Sequence, residues 1–493
     1  MGYTEKVVVI GAGISGLACA FRLKQFGLQP LVLEGSERAG GVIESVRRNG
    51  FLFEAGPQFP RFPRAVWQLV HDLNLESEFL AGDPKAKRYI LKDGRLHAAP
   101  FSPGGLLTTS LVDAKSKFGI LGEVFGQTSP PPQEESLAEF VERKFGTVVL
   151  DYLVDPIIGT IFFGDARKMG MESAFPVLVE WERNSGSLVR GALRGRNSKN
   201  RGAASDNEMT PRQTKSNAKG LRVTDALPSM GSFRSGMGAL TERLAEELKD
   251  HIRYRQRIKC VAPISSESSA HGERWEIRML DGERIPTYAL VLALPAYATA
   301  CLLEKSEPRL ASLLNDIEYA PFCGVSSAYD RSGVQNKLDG FGFMVPRREG
   351  LETICTFWNS SMFGGRAPNG KVLMTSFAGR EGSSAIFSSS EETCAQMVEA
   401  ENAKILGITG RPVDRMVWRN PRALPQYNVG HARRVQQIED VLRALPNLHI
   451  AGNFLTGRSI GDCVEIASKV AEKLHSQFES GDIEPYTEHL EGK

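Results

Sequence analysis

Three glycines and one carboxylate near the start of the chain have the spacing of a dinucleotide-binding turn. Gly11, Gly13 and Gly16 follow the apolar run VVVI, and Glu34 ends the next apolar run, 18 residues after Gly16. The first glycine allows a sharp turn, the second lets the backbone approach a pyrophosphate, and the third lets the helix pack closely on the strand. The phosphates would bind at the helix N-terminus, where free N–H groups and the helix dipole favour an anion. The glutamate would accept both hydroxyls of an adenosine ribose.

These residues must be positioned by a strand, a tight turn, a helix and a second strand. The run from Val7 predicts the first strand, a helical pattern leads to Gly27, and residues 31–33 form the next strand. We expect the backbone of the turn residues Ala12, Ile14 and Ser15 to contact the cofactor as well. A chance glycine turn is the alternative, and the motif alone does not separate NAD from FAD.

Composition sets limits but indicates no partner. A chain of 493 residues is long enough for two or three domains, and 41% hydrophobic with 24% charged residues is typical of a globular protein. A net charge of +2 gives no indication of nucleic-acid binding. Seven cysteines without a C-x-x-C pair predict reduced thiols, and eight histidines without an H-E-x-x-H pattern predict no metal site.

The chain shows no sign of crossing a membrane, but one stretch could rest on it. Because few residues precede the first strand, we expect no leader segment, and no apolar run reaches 18 residues. The stretch 103–125 predicts a helix with an apolar face that Lys115 and Lys117 interrupt. An interfacial helix and a plain core helix both fit this pattern. We expect a cytoplasmic protein that contacts the inner face of a membrane.

The residues after Glu34 distinguish between the cofactors. The string from Glu34 through Gly35 and Arg38 to Gly40 and Gly41 resembles the E-x-x-x-R-x-G-G extension of the amine oxidase, phytoene desaturase and protoporphyrinogen oxidase superfamily of flavoproteins. This resemblance implies FAD, with the two later glycines allowing the chain to pass close to its pyrophosphate. An ordinary glycine turn is the alternative. No residue recognisable as a flavin-linking cysteine or histidine is present, so we expect non-covalent FAD.

Further strings carry the same resemblance. The loop at residues 56–59, a predicted strand at residues 253–261, the string W…P-Q-Y-x-x-G-H and the C-terminal G-x-x-x-x-G-x-x-x-x-D-C unit each match a flavin-contacting part of the superfamily. The residues that the resemblance assigns to FAD are Gly56, Pro57, Gln58, Phe59, Ile258, Trp418, Gly452, Ser459 and Ile460.

The resemblance to protoporphyrinogen oxidases also assigns substrate contacts. Arg88, at the start of a predicted strand, would receive a propionate, because a guanidinium pairs with a carboxylate through two hydrogen bonds. Met344 and Phe363 would sandwich a pyrrole ring. Gly159 lies in a stretch similar to P-F-V-x-G-x-x-x-G-D, but one residue early, which puts its backbone contact in question.

These observations predict an α/β fold with an α+β second domain. The Rossmann-like FAD-binding domain is discontinuous, the substrate domain carries a mixed sheet, and a helical region contacts the membrane. The predicted boundaries are 1–80, 221–296 and 431–480 for the FAD domain, 81–192 for the helical region, 193–220 for a disordered loop and 297–430 for the substrate domain.

The implied function is an FAD-dependent oxidase that removes six electrons from protoporphyrinogen IX in three two-electron steps. It would give protoporphyrin IX, with O2 as acceptor and H2O2 as by-product. Flavin carries the hard chemistry, and the sequence indicates no catalytic base. A coproporphyrinogen III oxidase giving coproporphyrin III is the nearest alternative, and a flavin amine oxidase is a more distant one. Whether the chain forms a homodimer stays open.

Overall fold

The computed structural model describes residues 5–100, 102–123, 126, 131, 133–191, 194, 230–265, 272–380, 382–457 and 459–480. The predicted disordered loop at 193–220 lies outside the described residues, apart from Arg194. The described strands form two seven-stranded sheets and two two-stranded sheets.

The strands are numbered in chain order. They are β1 (Glu5–Ile10), β2 (Pro30–Leu33), β3 (Ser45–Arg48), β4 (Phe51–Glu54), β5 (Phe79–Ala81), β6 (Lys87–Lys92), β7 (Arg95–Ala98), β8 (Gly231–Phe233), β9 (Ile252–Arg253), β10 (Ile258–Pro263), β11 (Trp275–Met279), β12 (Arg284–Leu292), β13 (Tyr319–Asp330), β14 (Gly340–Met344), β15 (Thr353–Phe357), β16 (Lys371–Ala378), β17 (Asp414–Pro425) and β18 (Leu448–Ile450).

The α-helices are numbered in the same way. They are α1 (Ile14–Gln25), α2 (Arg64–Asp72), α3 (Pro103–Thr108), α4 (Ala114–Glu123), α5 (Leu137–Phe145), α6 (Thr147–Val149), α7 (Asp155–Phe162), α8 (Met171–Ala174), α9 (Pro176–Ser185), α10 (Gly238–Glu247), α11 (Ala296–Leu303), α12 (Pro308–Asn315), α13 (Asn359–Met362), α14 (Ser384–Ser388), α15 (Glu391–Leu406), α16 (His431–Arg443) and α17 (Ile460–Glu479).

The first sheet is the predicted Rossmann-like sheet. β1 pairs in parallel with β2 and β12, and β9 and β18 extend the parallel part. Helices α1 and α17 cover one face, where Leu17 and Leu23 share a buried cluster with Val464 and Leu474. The other face buries β1 and β12 side chains against α11 and α12. Because its strands come from distant parts of the chain, the domain is discontinuous, and the predicted fold class is confirmed.

The strand predicted from Arg253 to Val261 is wrong as a single element. It consists of two strands, β9 and β10, which pair with different neighbours at opposite sides of the sheet. The break falls at Arg255, whose φ of 59° lies in the left-handed region. Its N–H donates to Ser36 O at 3.0 Å, and the N–H of Gln256 donates to Glu34 O at 2.8 Å. Hydrogen bonds to the loop after β2 therefore end one strand and redirect the chain.

The second sheet has the order β17-β13-β16-β15-β14-β6-β7 and is mixed, as predicted. β14 pairs in parallel with β6, whereas the other neighbours are antiparallel. The two strands β6 and β7 lie within the range 81–192 that was predicted to be helical. The observed division therefore differs from the predicted boundaries, because a hairpin from the helical region completes the substrate sheet.

The stretch predicted as one helix over 103–125 contains two short helices, α3 and α4. The chain leaves the first helix at Thr109, with ψ of 145°, and buries Leu111 and Val112. The ammonium of Lys92 donates to the carbonyls of Ser110 and Leu111, both at 3.0 Å, and so holds the break. No helix among the described residues is both long and apolar enough to cross a bilayer.

Candidate active site

The glycine turn after β1 is shaped for a close approach. Gly11 has a φ of 103°, and its N–H donates to Leu33 O at 2.8 Å. A Cβ on Gly16 would lie 1.8 Å from Gly11 O, whereas a Cβ on Gly13 would have no atom within 4 Å. Gly13 is also the N-cap of α1, and neither a capping side chain nor an acidic residue satisfies that helix N-terminus. The turn thus leaves space and free N–H groups where a pyrophosphate fits.

Glu34 lies directly beside this turn. Its two carboxylate oxygens accept hydrogen bonds from Ala12 N at 2.7 Å and Ser36 N at 2.8 Å. Each oxygen keeps a second lone pair, so the carboxylate can also receive ribose hydroxyls. A Cβ on Gly35 would lie 3.6 Å from Gln256 O, and this places the β9–β10 connection along the same edge. Ile258, two residues further on, packs in the cluster that includes Leu33.

Arg38 supports the loop after Glu34. Its guanidinium donates to Gly41 O at 2.7 Å, to Ile43 O at 3.3 Å and to Glu44 Oε2 at 3.1 Å. Gly40 and Gly41 both have positive φ, and the N–H of Gly40 donates to Ala12 O at 2.8 Å. The resemblance assigned Arg38 to FAD, and the structure shows a side chain that braces the two glycines against the first turn.

The loop at residues 56–59 belongs to the FAD domain and is hydrogen-bonded to the second domain. A Cβ on Gly56 would lie 2.3 Å from Val42 O. The amide of Gln58 donates to the carbonyls of Glu54 and Gly56 and accepts from Asn359 at 2.7 Å. These bonds fix Pro57 and Phe59 between the Rossmann-like sheet and the second sheet.

The C-terminal motif supplies a second helix N-terminus. Gly452 follows β18, and Ser459 is the N-cap of α17, with its hydroxyl accepting from Asp462 N at 3.1 Å. Asp462 in turn accepts from Ser459 N at 2.8 Å, which completes a capping box. Ile460 is buried in the cluster that holds α1 and α17 together. The carboxyl ends of β1 and β18 therefore lead to the N-termini of two packed helices.

One face of the second sheet is lined with rings. We call Phe59, Phe163, Phe322, Phe357, Phe377 and Trp418 the aromatic face. The ring centroids of Phe59 and Phe357 lie 4.8 Å apart, those of Phe357 and Phe377 6.1 Å, and those of Phe377 and Trp418 6.0 Å. Met344 packs in the same apolar cluster. The aromatic face thus runs from the loop of the FAD domain across the sheet.

Arg88 lies at one end of this surface. Its strand β6 pairs with β14, with Arg88 opposite Gly342 and Ile90 opposite Met344. The half-buried guanidinium lies 4.5 Å from the ring centroid of Phe341. Burial, and then the charge of nearby Arg61, lower the pKa of Arg88. Two cations at such a site favour an anionic group.

Trp418 lies in β17, the edge strand of the second sheet, which pairs with β13. A Cβ on Gly324 would lie 2.3 Å from its indole, so the glycine makes room for this ring. The indole Nε1 is buried without a hydrogen-bond partner among the described residues. A buried donor of this kind calls for an acceptor, which a bound group can supply. The structure places Trp418 with Met344, and its assignment to FAD stays a prediction.

Two predicted substrate residues lie apart from Met344. Phe363 is buried, and its ring is 5.5 Å from the guanidinium carbon of Arg366, which donates to Ser232 Oγ at 2.6 Å. Gly159 lies inside α7, where a Cβ would be 3.2 Å from Arg380 Nη1. A π-helical turn at Leu150–Val154 precedes α7 and contains one residue more than an α-turn. Neither residue faces the aromatic face in the described contacts.

Sequence reasoning missed several residues of this surface. Phe357 and Phe377 belong to strands whose alternation could have placed them with Met344. Arg61 belongs to no motif, and its proximity to Arg88 arises from tertiary structure alone. No group of three or more potential metal ligands occurs among the described residues.

Comparison with known proteins identifies the family of the chain. Residues 14–475 match the family described as flavin containing amine oxidoreductase. The chain belongs to this family. It is a flavin-dependent oxidoreductase, and its cofactor is FAD, which the open glycine turn, Glu34 and the two helix N-termini fit.

Individual relatives extend over nearly the whole chain. Protoporphyrinogen oxidase 2 of Arabidopsis thaliana is 30% identical, over 97% of this chain and 95% of its own. Coproporphyrinogen III oxidase of Bacillus subtilis is 26% identical, over 94% of this chain and 96% of its own. A crystal structure of a provisionally named protoporphyrinogen oxidase from Exiguobacterium sp. 255-15 has a TM-score of 0.77 at 24% identity, covering 97% of this chain and 100% of that one. The last comparison establishes the fold.

Proposed function

We propose that this family member oxidises protoporphyrinogen IX to protoporphyrin IX, with O2 as electron acceptor and H2O2 as by-product. Curated relatives with the name protoporphyrinogen oxidase are about 30% identical to this chain. The alignments cover most of each relative's length. FAD, when bound, takes electrons from the substrate in pairs and passes them to O2. The protein's own residues hold, orient and shield the substrate.

The observation that carries this proposal is the position of Arg88 at the end of the aromatic face. A porphyrinogen combines an extended apolar macrocycle with carboxylate side chains. The partly exposed rings of Phe322, Phe357 and Trp418 offer apolar surface to the macrocycle, and Arg88 offers a forked partner to a carboxylate. Phe59 joins this surface to the FAD domain, so a macrocycle bound there would lie beside the loop at residues 56–59 of that domain.

The aromatic face carries no evident catalytic base. Burial raises the pKa of the Cys355 thiol to about 12, and burial also raises the pKa of Tyr152. Neither group therefore exchanges protons readily near neutral pH. Protons from the substrate would pass to solvent or to the pyrrole nitrogens, and the side chains would act through position and electrostatics.

Coproporphyrinogen III is the second candidate substrate, because a Bacillus subtilis relative carries that name. It has four propionates, whereas protoporphyrinogen IX has two. Arg61 lies near enough to Arg88 for its charge to act on that guanidinium, and two guanidinium groups match two carboxylates. This match favours protoporphyrinogen IX.

The direct test measures both substrates under air by the fluorescence of the porphyrin formed, with H2O2 release measured in parallel. We expect kcat/KM for protoporphyrinogen IX to exceed that for coproporphyrinogen III by about tenfold or more, equivalent to ~1.4 kcal/mol. The reverse preference would assign the protein to coproporphyrinogen III. Turnover of primary amines without turnover of either porphyrinogen would make it an amine oxidase.

We also propose that FAD is held without a covalent bond. The cysteines that the described site brings near the cofactor motifs, Cys19 and Cys463, are buried, and burial raises their pKa values to about 12 and about 11. Precipitation of the yellow protein with acid should leave all flavin in the supernatant. Flavin that stays with the precipitate would contradict this.

Contact with one membrane face is a further proposal. Leu107, Phe118 and Ile161 in the helical region are 48%, 73% and 49% exposed and offer apolar side chains to a membrane interface. Flotation with liposomes containing anionic lipid should carry the protein upward, and Phe118→Ser should reduce the floated fraction. Exposed Val413→Ser, on the second domain, is the matched control and should leave flotation unchanged.

A further inference from the structure

Two cysteines face each other behind the second sheet. Cys323 lies in β13, and Cys394 is the fourth residue of α15, which packs on that strand. Their Sγ atoms lie 2.9 Å apart, and both side chains are buried. A disulfide requires about 2.05 Å between the two sulfurs. Small rotations of the two side chains can bring the Sγ atoms to that distance.

The surroundings favour a thiolate on Cys394. The S–H of Cys323 donates to it, and the guanidinium of Arg419 acts in the same direction. Arg419 is the β17 residue directly opposite Cys323. Together these groups lower the pKa of Cys394, although burial and the charge of Glu352 oppose the shift.

Other buried cysteines have no such surroundings. Burial raises the pKa of Cys19 and Cys355 to about 12, and that of Cys463 to about 11. Thiolate character governs oxidation, so these three thiols are expected to be inert. The pair on β13 and α15 differs from them in its proximity to a second sulfur and to a guanidinium.

We propose that Cys323 and Cys394 are a redox modification site, and that hydrogen peroxide converts them to a reversible intramolecular disulfide. The Cys394 thiolate attacks one peroxide oxygen and the O–O bond breaks, which gives a sulfenic acid and, after protonation, one water. Cys323 then loses its proton and attacks the sulfenic sulfur, the S–S bond forms, and hydroxide leaves as a second water. Two sulfurs are oxidised by two electrons in total and the peroxide is reduced. A thiol reductant reverses the step.

The site lies directly behind the aromatic face. Cys323 stands between Phe322 and Gly324 in the chain, and Gly324 makes room for the indole of Trp418. The disulfide would tie α15 to the strand that carries these two residues. The inference requires peroxide and not any particular flavin substrate, so its outcome is independent of the proposed function.

The test treats the full-length holoprotein with a small molar excess of hydrogen peroxide and quenches it with catalase. The chain is then unfolded with N-ethylmaleimide, digested and analysed by mass spectrometry without reductant. We expect the peptides with Cys323 and Cys394 to be joined, with the mass of two hydrogens missing, and dithiothreitol to separate them. Unlinked, fully alkylated peptides would overturn the proposal, as would a link from either cysteine to another position.

Variants separate the roles of the two sulfurs. Cys323→Ser should leave a sulfenic acid on Cys394 that dimedone traps, and Cys394→Ser should show neither product. Arg419→Gln should slow linkage at neutral pH. Cys301→Ser removes an exposed thiol and is the matched control, which should link at the wild-type rate. If a variant does not fold, the wild-type peptide map alone decides. Equal rates for wild type and Arg419→Gln would remove the role given to the guanidinium.

Discussion

Gly16 packs against the carbonyl of Gly11 so closely that a Cβ on Gly16 would lie 1.8 Å from Gly11 O. The nearest atoms belong to the backbone of Gly11 and to the Cβ of Ala293, at 3.2 Å, so no flexible side chain is there to move away. Gly13, between them, faces open space instead. The glycines of this motif are therefore needed for different reasons. Gly16 is needed for the packing of the fold, and Gly13 is needed for the approach of the ligand.

We expect Gly16→Ala and Gly13→Ala to separate these requirements. Gly16→Ala should destabilise even the FAD-free protein by about 3 kcal/mol or more, because the backbone must shift. Gly13→Ala should leave the stability of the FAD-free protein within about 0.5 kcal/mol and weaken FAD binding by about tenfold or more. Urea unfolding of the apoprotein and fluorescence titration with FAD measure the two effects. Equal loss of stability in both variants would contradict the distinction.

Arg88→Ala should raise KM for the porphyrinogen with little change in flavin content. Loss of a forked, partly desolvated ion pair should lower kcat/KM by roughly 30-fold to several-hundred-fold, or about 2–4 kcal/mol. Arg88→Lys should restore part of it, because an ammonium lacks the fork. Arg95→Ala, at an exposed arginine on β7, is the control and should behave as wild type. Unchanged kinetics in Arg88→Ala would remove this residue from the site.

Gly324→Ala should push the indole of Trp418 out of its position. A Cβ there would lie 2.3 Å from the ring, and such overpacking costs about 1–3 kcal/mol. We expect porphyrinogen turnover to fall and the fluorescence of the tryptophans to change. Gly364→Ala adds a methyl group where no atom lies within 4 Å, and it should leave both measurements unchanged.

His449 should make the protein sensitive to acid. Burial, and then the charge of Lys473, lower the pKa of His449 from 6.5 to about 4. As the pH falls, His449 therefore takes up a proton in the unfolded chain before it does so in the folded protein. Its contribution to the free energy of unfolding is complete above pH 6.5 and is lost as the pH falls towards 4. The full effect is about 3 kcal/mol.

Urea unfolding between pH 7 and pH 4 tests this linkage. The free energy of unfolding should fall less steeply with acidity in His449→Phe than in wild type. His71→Gln, at an exposed histidine, should keep the wild-type slope. A slope that is identical in all three proteins would show that His449 does not contribute.

Much of the cofactor half could be predicted from sequence, because its signals are local. Gly11, Gly13 and Gly16 fall between a strand and a helix, and the structure brings Glu34 beside the turn through Ala12 N. The hairpin turns at Asn49-Gly50 and Asp93-Gly94 and the capping box at Ser136 depend on equally local signals. In each case the residues that fix the backbone lie within a few positions of one another.

The features that sequence did not reveal depend on distant residues. Arg255 adopts a left-handed φ that arginine does not favour, because hydrogen bonds from Arg255 and Gln256 to the loop after β2 hold it there. β6 joins the second sheet by pairing with β14, far along the chain, and this pairing is what places Arg88 near Met344. Lys92 ends α3 through carbonyls that follow it. No local pattern encodes these contacts.

The central position of β12 determines when this protein can become functional during synthesis. On the ribosome, β1 and β2 emerge long before β12, whose Ala289 pairs with Val7, and β12 emerges before its own partner at Leu448. The apolar side of α1 is covered only when α17 follows. For most of translation, the nascent chain thus exposes the apolar surface of an incomplete nucleotide site. Chaperones would be needed during this time to prevent aggregation. FAD can bind to, and thereby stabilise, only a nearly complete chain. Prematurely terminated chains would therefore remain without FAD and become substrates for proteolysis.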